Sequence, residues 1–428
     1  MIGAALTFAR RNEAPWIQGL RELVKIPSIS SQDDRANDRR RTARLLVERL
    51  RSIGLGSARV VGKESHPIVY ADRLGVHGRP TVLIYGHYDV QPPGPDDRWR
   101  SPPFSAEVRG GWLLGRGASD DKGQLFIHIA AIESYLRTAG RLPVNVRCLF
   151  DGEEEIGSRT LLGLIDTRSD LLAADVLLVS DTRMTSRDRP TITYGLRGLV
   201  SMSVTVTGAP TPHHSGHFGG GVVDPARVLC GAIARLHDRH GRIAIEGFYR
   251  SVRDDARSET DYTRQERMTI RPAASVTALS SDGAPGAATI PTYASAFLDV
   301  RLVPDQDPET VQRLIVGTLA RAVGRAARLD MVPGTRARPM IVDPRHPAIR
   351  AAMTSCAAAF GVPTQLTRSG GSIPVVAALH HGFGMTPVLM GFAQPDDGAH
   401  APNERFHIPT FRRGVEASIR FLDRVSRP

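Results

Sequence analysis

The sequence predicts a two-domain α/β protein: a helix-flanked, mostly parallel sheet with a smaller α+β domain inserted into it. Three observations lead there. The 428 residues exceed what one hydrophobic core usually organises. Apolar strand-like runs alternate with helical patterns towards both ends of the chain, the signature of a sheet covered by helices. Between them the texture changes to alternating strands and a long Gly/His/Pro loop.

In chain order, helical spacing of apolar residues at 16–24 and 42–53 precedes an apolar run at 82–85, and further runs follow at 144–150 and 176–179. Short runs of this kind, bounded by turn residues, suit strands buried on both faces. Past Asp181, residues 200–206 alternate like a half-exposed strand, a loop runs from Gly208 to Gly221, and helical spacing covers 225–237. A strand at 294–302 and a helix at 309–323 complete this part, after which 347–360 and 387–392 resume the first pattern. The expected domains are therefore 1–197 with 339–428, and an insertion at 198–338.

Composition excludes several classes. At 41% hydrophobic and 23% charged residues, the chain is of ordinary globular type. The net charge of +11 raises the question of nucleic acid. Only Lys25, Lys63 and Lys122 are lysines; the arginines that supply the rest are scattered, with no run longer than Arg39-Arg40-Arg41. Aromatic residues, at 6%, are too few and dispersed to form a stacking platform, so no nucleic-acid partner is expected. Cys148, Cys230 and Cys356 lie in apolar surroundings without CxxC spacing, which suits buried free thiols in a reducing compartment, the cytoplasm. The first residues place their apolar stretch before Arg10-Arg11, the reverse of a signal peptide, and no segment is apolar enough to span a bilayer, so no membrane partner is expected.

The chemistry gathers just after the apolar runs. His87-Tyr-Asp89 follows residues 81–85, Asp120-Asp121 follows the turn Gly115-Arg-Gly117, and Glu153-Glu154-Glu155 follows 144–150. Asp181 follows 176–179, and His400 closes the polar loop after 387–392. Each has an ordinary alternative. His87 alone would read as a loop histidine, Asp120 as a helix N-cap, and the three glutamates as a solvated acidic loop. Three adjacent carboxylates at the end of a buried strand repel one another unless a cation or proton offsets them. Open α/β sheets place ligands at the carboxyl ends of their strands. Five such residues near five apparent strand ends read together as a metal site.

These motifs resemble, over nearly the whole chain, the di-zinc peptidase family of carnosinase, peptidase V, glutamate carboxypeptidase and succinyl-diaminopimelate desuccinylase. The resemblance implies that His87 and Asp181 hold one zinc, that Glu155 and His400 hold the other, and that Asp120 bridges them. It puts Glu154 in the general-base position, makes Asp89 the carboxylate behind His87, and places a cis peptide at Asp120–Asp121. Zinc suits the mixed imidazole and carboxylate donors, although manganese or cobalt could satisfy the same set. The insertion resembles the family's lid and dimerisation domain, which implies a homodimer. His214 then matches a histidine that reaches the partner subunit's active site, and Arg301 matches an arginine that binds a substrate carboxylate. Gly371 and Ser372, in Gly370-Gly371-Ser372-Ile-Pro, match a loop offering amides and a hydroxyl to the same carboxylate; otherwise it is a turn.

Asp181, where some branches carry glutamate, resembles the aminopeptidase and dipeptidase branch, as do Ile192-Thr-Tyr-Gly-Leu-Arg-Gly, Phe218-Gly-Gly and Asp396-Asp-Gly-Ala-His. The expected activity is hydrolysis of free-amine dipeptides with a free carboxylate. Thr335, where such dipeptidases often carry histidine, and Thr289-Ile-Pro, in place of a common Asn-Val-Ile-Pro, depart from the pattern and leave room for an N-acyl deacylase, a desuccinylase or a biosynthetic amidohydrolase. A non-catalytic binding protein of this fold would usually have lost a ligand position, and none is lost here.

Overall fold

A computed structural model describes residues 1–252 and 261–427. The chain forms two compact units, one of Met1–Tyr194, Val342–Thr367 and Ala378–Pro428, the other of Gly195–Ile341 and Arg368–Ala377. The division expected at 197 and 338 did not include that last segment, which groups Gly371 and Ser372 with Arg301.

In the first unit the sheet runs in the order Arg59–Gly62, Pro67–Arg73, Asn145–Asp151, Thr81–His87, Val176–Val179, Thr386–Gly391 and Thr191–Leu196. The four middle strands are parallel, and their neighbours on either side pair antiparallel. Strands buried on both faces need apolar side chains pointing both ways. Val82, Leu83, Ile84 and Tyr85 meet that requirement, as do all four residues of Val176–Val179. One covering helix, Lys122–Ala139, is buried around nearly its whole circumference and packs on Thr81–His87 and on the helices Ile2–Arg11 and Ile408–Val425. It stops at Gly140, whose φ of 64° closes the helix in the left-handed conformation that glycine adopts without penalty. The N-terminal stretch is itself a helix, with Ala5 and Ala9 buried.

The second unit carries a four-stranded antiparallel sheet in the order Ala273–Ser281, Tyr293–Leu302, Gly198–Thr207 and Arg328–Ala337. Alternation sets its two faces. Val200, Met202 and Val204, with Ala296, Leu298 and Val300, pack against Leu229 of helix Pro225–Ala234 and Ile315 of helix Pro308–Val323. Each helix starts with proline behind an aspartate cap, Asp224 or Asp307, whose carboxylate accepts from the first-turn amides. On the other face Phe297 and Val332 flank Ser203 across three strands and stay exposed.

Candidate metal centre

The four parallel strands deliver the site. His87 is the last residue of Thr81–His87, Glu154 and Glu155 lie just past Asn145–Asp151, Asp181 lies two residues past Val179, and His400 is in the loop after Thr386–Gly391. Asp120 comes from the loop before helix Lys122–Ala139, and its peptide bond to Asp121 is cis, as expected. All belong to the first unit.

Asp120 is the centre of the arrangement. Its Oδ1 lies 3.0 Å from His87 Nε2, and its Oδ2 lies 3.0 Å from His400 Nε2. His87 Nε2 is 4.0 Å from Asp181 Oδ1, and His400 Nε2 is 3.1 Å from Glu155 Oε2. The donor atoms thus form two triads, His87/Asp120/Asp181 and Asp120/Glu155/His400, each with its ligand atoms within 4.8 Å of one another. One carboxylate with an oxygen in each triad is the pattern of two adjacent cations sharing a bridging ligand.

Electrostatics point the same way. Burial, with Asp120 and Asp121 close by, pushes the Asp181 carboxyl well above the usual range. Burial also raises Glu154, which His87 partly offsets and Asp181 and Glu155 reinforce. Burial alone would lower His87, but Asp120 and Asp89 outweigh it and raise the imidazole well above its ordinary value. Hydrogen bonds to Asp120 and Glu155 push His400 up to about 10. Burial opposes ionisation of Asp120, yet the bonds from His400 and His87 hold its carboxyl far below the usual range. Glu155 Oε1 is buried without a hydrogen-bond partner. Carboxylates crowded in this way call for cations, and imidazole with carboxylate is a donor set that suits first-row divalent ions. The residues therefore fit a dinuclear metal group.

The neighbours fix these donors. His87 Nδ1 is 3.1 Å from the Asp89 carbonyl oxygen and 3.3 Å from its Oδ1, which sets the ring so that Nε2 faces the triad. The same Asp89 carboxylate, fully buried, accepts from the backbone N–H groups of Glu154 and Glu155, each at 3.1 Å. One side chain thus aligns the His87 and Glu155 strand ends. Gln91, absent from the sequence reading, donates to Glu155 Oε2 at 2.9 Å. Glu404, also absent, is fully buried behind the Asp120 loop. An isolated Gln or Glu in a polar loop carries no spacing signal, although Gln91 stands only two residues past Asp89.

The other expected residues lie in the second unit. His214 pairs with Thr289 in a short two-stranded ladder, and its Nδ1 accepts from Gly216 N–H at 3.1 Å. Arg301 sits on an inner strand rather than the sheet edge. Its Nε and Nη2 grip Asp299 at 2.8 and 3.0 Å, and Nη1 donates to Ser372 Oγ at 3.2 Å. Gly371 N–H donates to Ser369 Oγ, and Ser372 Oγ donates to the Arg197 carbonyl. The amide expected to face a ligand is thus engaged within the loop, and the hydroxyl is engaged by Arg197 and Arg301.

Comparison with known proteins agrees with this geometry. The sequence profile of peptidase family M20/M25/M40 matches residues 83–424, and the chain belongs to that family. It is 30% identical to a Cys-Gly metallodipeptidase of Schizosaccharomyces pombe, over 84% of this chain and 83% of that one. It is 27% identical to the mouse (Mus musculus) β-Ala-His dipeptidase, over 96% of this chain and 93% of the other. Among solved structures, an M20 family metallo-carboxypeptidase from Sulfolobus solfataricus superposes with a TM-score of 0.87 at 29% identity, covering 96% of this chain and 99% of that one. The dipeptidase Dug1p from Saccharomyces cerevisiae gives 0.86 at 24% identity, covering 100% and 98%, a likeness of fold. The protein is a metal-dependent hydrolytic peptidase.

Proposed function

We propose that this metallopeptidase is a dipeptidase acting on free-amine dipeptides with a free carboxylate, using zinc at both positions and Glu154 as general base. The observation that carries the reading is Asp120, one oxygen in each donor triad. His87 and Asp181 would hold one ion, Glu155 and His400 the other. When bound, such a pair lowers the pKa of a shared water and polarises the scissile carbonyl. Glu154 takes the water proton and passes it to the leaving amine. Asp89 keeps Glu154 and its neighbour Glu155 in register through their amides.

The second unit takes the part of lid and dimerisation domain. His214 stabilises the oxyanion in the partner's site, and Arg301 binds the substrate carboxylate with the guanidinium held by Asp299. Gly371 and Ser372 can join it only after releasing Ser369 and Arg197. The exposed Phe297 and Val332, on the sheet face opposite the helices, support a homodimer. A cytoplasmic setting is supported by the three free cysteines, of which Cys148 and Cys356 are buried as expected and Cys230 is exposed. No helix among the described residues is long and apolar enough to cross a membrane.

The dipeptide reading draws on Asp181 and on relatives named as Cys-Gly and β-Ala-His dipeptidases. A carboxypeptidase reading draws on the Sulfolobus solfataricus structure. Metal-stripped protein, reloaded with zinc, manganese or cobalt, should be assayed on dipeptides, amino-blocked dipeptides, tetrapeptides, and N-acetyl and N-succinyl amino acids. Cleavage of free dipeptides above all others is expected. Preference for blocked or longer peptides would replace the proposal with a carboxypeptidase, and activity confined to acylated amino acids would replace it with a deacylase.

A further inference from the structure

The loop that carries His400 also grips the loop that carries Asp120, chiefly through one buried carboxylate. Glu404 is fully buried. Its Oε1 accepts from the backbone N–H groups of Ser119 and Asp120 at 2.9 and 3.0 Å. Its Oε2 accepts from Gly117 N–H at 3.0 Å and from Arg116 Nη1 at 2.6 Å. Three amides of one short loop converge on one anion because Gly115 and Gly117, with φ of 150° and 82°, curl the chain around it. A side chain on Gly117 would also meet Val90 Cγ1 at 2.5 Å. A second tie lies alongside: Asp397 Oδ2 accepts from Ser119 Oγ at 2.6 Å and from Gln394 N–H at 2.7 Å.

Burying a charge costs several kcal/mol unless its lone pairs are filled. Here all four bonds to the Glu404 carboxylate come from residues 116–120, among them the buried Arg116. None of its four bonds is to a side chain of the five residues in the two triads. What it fixes is the backbone that aims the Asp120 carboxylate, from a position four residues past His400. Resting on the reading of Asp120 as the shared ligand, we infer that Glu404 is a positioning residue, which sets Asp120 against His400 so that both metal positions can be filled at once.

The test is a zinc titration of metal-free protein against a chromophoric chelator, with melting temperature followed in parallel. Glu404→Gln keeps the size but turns an NH2 group towards two N–H donors. The more weakly held zinc should then bind about 10–100-fold less tightly, the usual effect of losing a partner that orients a ligand. Glu133→Gln is the control: Glu133 is a buried carboxylate on helix Lys122–Ala139, bonded to Trp16 and Arg49. It should lower the melting temperature and leave zinc affinity alone. Glu404→Asp, which keeps the charge but shortens its reach to the amides of Gly117, Ser119 and Asp120, should weaken the same zinc by a smaller factor, and decides the matter if Glu404→Gln does not fold. Unaltered zinc binding in the folded variants would overturn the inference and leave Glu404 a purely structural group. Wild-type protein that binds fewer than two zinc ions would instead overturn the proposed dinuclear centre, whatever the variants do.

Discussion

Replacing Glu154 by glutamine separates proton transfer from metal binding at the point where two adjacent glutamates have different tasks. The substitution keeps the shape of the side chain, and the backbone N–H of residue 154 keeps its bond to Asp89 Oδ1 at 3.1 Å. Glu155, the neighbour in contact with His400, is untouched. The amide cannot accept the water proton, so turnover should fall by the contribution of a general base, about 10²–10⁴-fold, equivalent to roughly 3–5 kcal/mol of barrier. Burial and the nearby Asp181, Glu155 and Asp89, partly offset by His87, already favour the neutral form of Glu154 in metal-free protein, so a neutral glutamine should not lower its melting temperature. Kinetics on a cleaved dipeptide, with metal content measured on the same sample, reads both effects. Loss of metal together with turnover would make Glu154 a ligand and refute the division of labour; unchanged kcat would remove it from the mechanism.

Other outcomes follow from the same geometry. Arg301→Lys cannot grip Asp299 through two nitrogens and still reach Ser372, so KM for a dipeptide should rise about 10–100-fold, the worth of a charged hydrogen bond, while kcat changes little; an unchanged KM would take Arg301 away from the substrate carboxylate. Inactive His214→Ala protein mixed with inactive Glu154→Gln protein should regain part of the wild-type rate, because a mixed dimer holds one site with both residues intact; no recovery would place His214 outside the partner's site. His128 is buried between Ser180 and Ser418, and burial lowers its imidazole to about 3, against about 6.5 in an unfolded chain. Its folded pKa is depressed, so its contribution to stability is complete above pH 6.5 and drains as the pH falls towards 3. His128→Gln should flatten the dependence of unfolding free energy on pH in that window by about 1.4 kcal/mol per pH unit, one proton's worth; parallel curves for the two proteins would contradict this.

Four of the five candidate ligands were legible because His87, Glu155, Asp181 and His400 come after apolar runs, which a parallel sheet turns into a row of strand ends at one edge; Asp120 comes instead from the loop before helix Lys122–Ala139. Val176–Val179 and the strand at 81–87 are dense enough in branched apolar residues to announce themselves. The antiparallel strands Arg59–Gly62 and Pro67–Arg73 were not, since the first is exposed and the second opens on proline and closes on polar residues. Helix Ile408–Val425 went unread although Phe411, Val415, Ile419 and Leu422 recur at helical spacing; it and Ile2–Arg11 pack against Lys122–Ala139, a tertiary partner that local spacing does not reveal. Glu404 and Gln91 escaped for a related reason: their roles lie in hydrogen bonds to loops 284 and 64 residues away in sequence. Gly371 and Ser372 were legible as a loop, but not the bonds to Ser369 and Arg197 that occupy their donors.

The most direct test of the account is anomalous X-ray scattering, at the zinc edge, from crystals of zinc-loaded protein. Two peaks are predicted, one among His87, Asp120 and Asp181 and the other among Asp120, Glu155 and His400, with the Asp120 carboxylate between them. A single peak, or a second one that Asp120 does not touch, would contradict the shared-ligand centre on which the proposed mechanism stands.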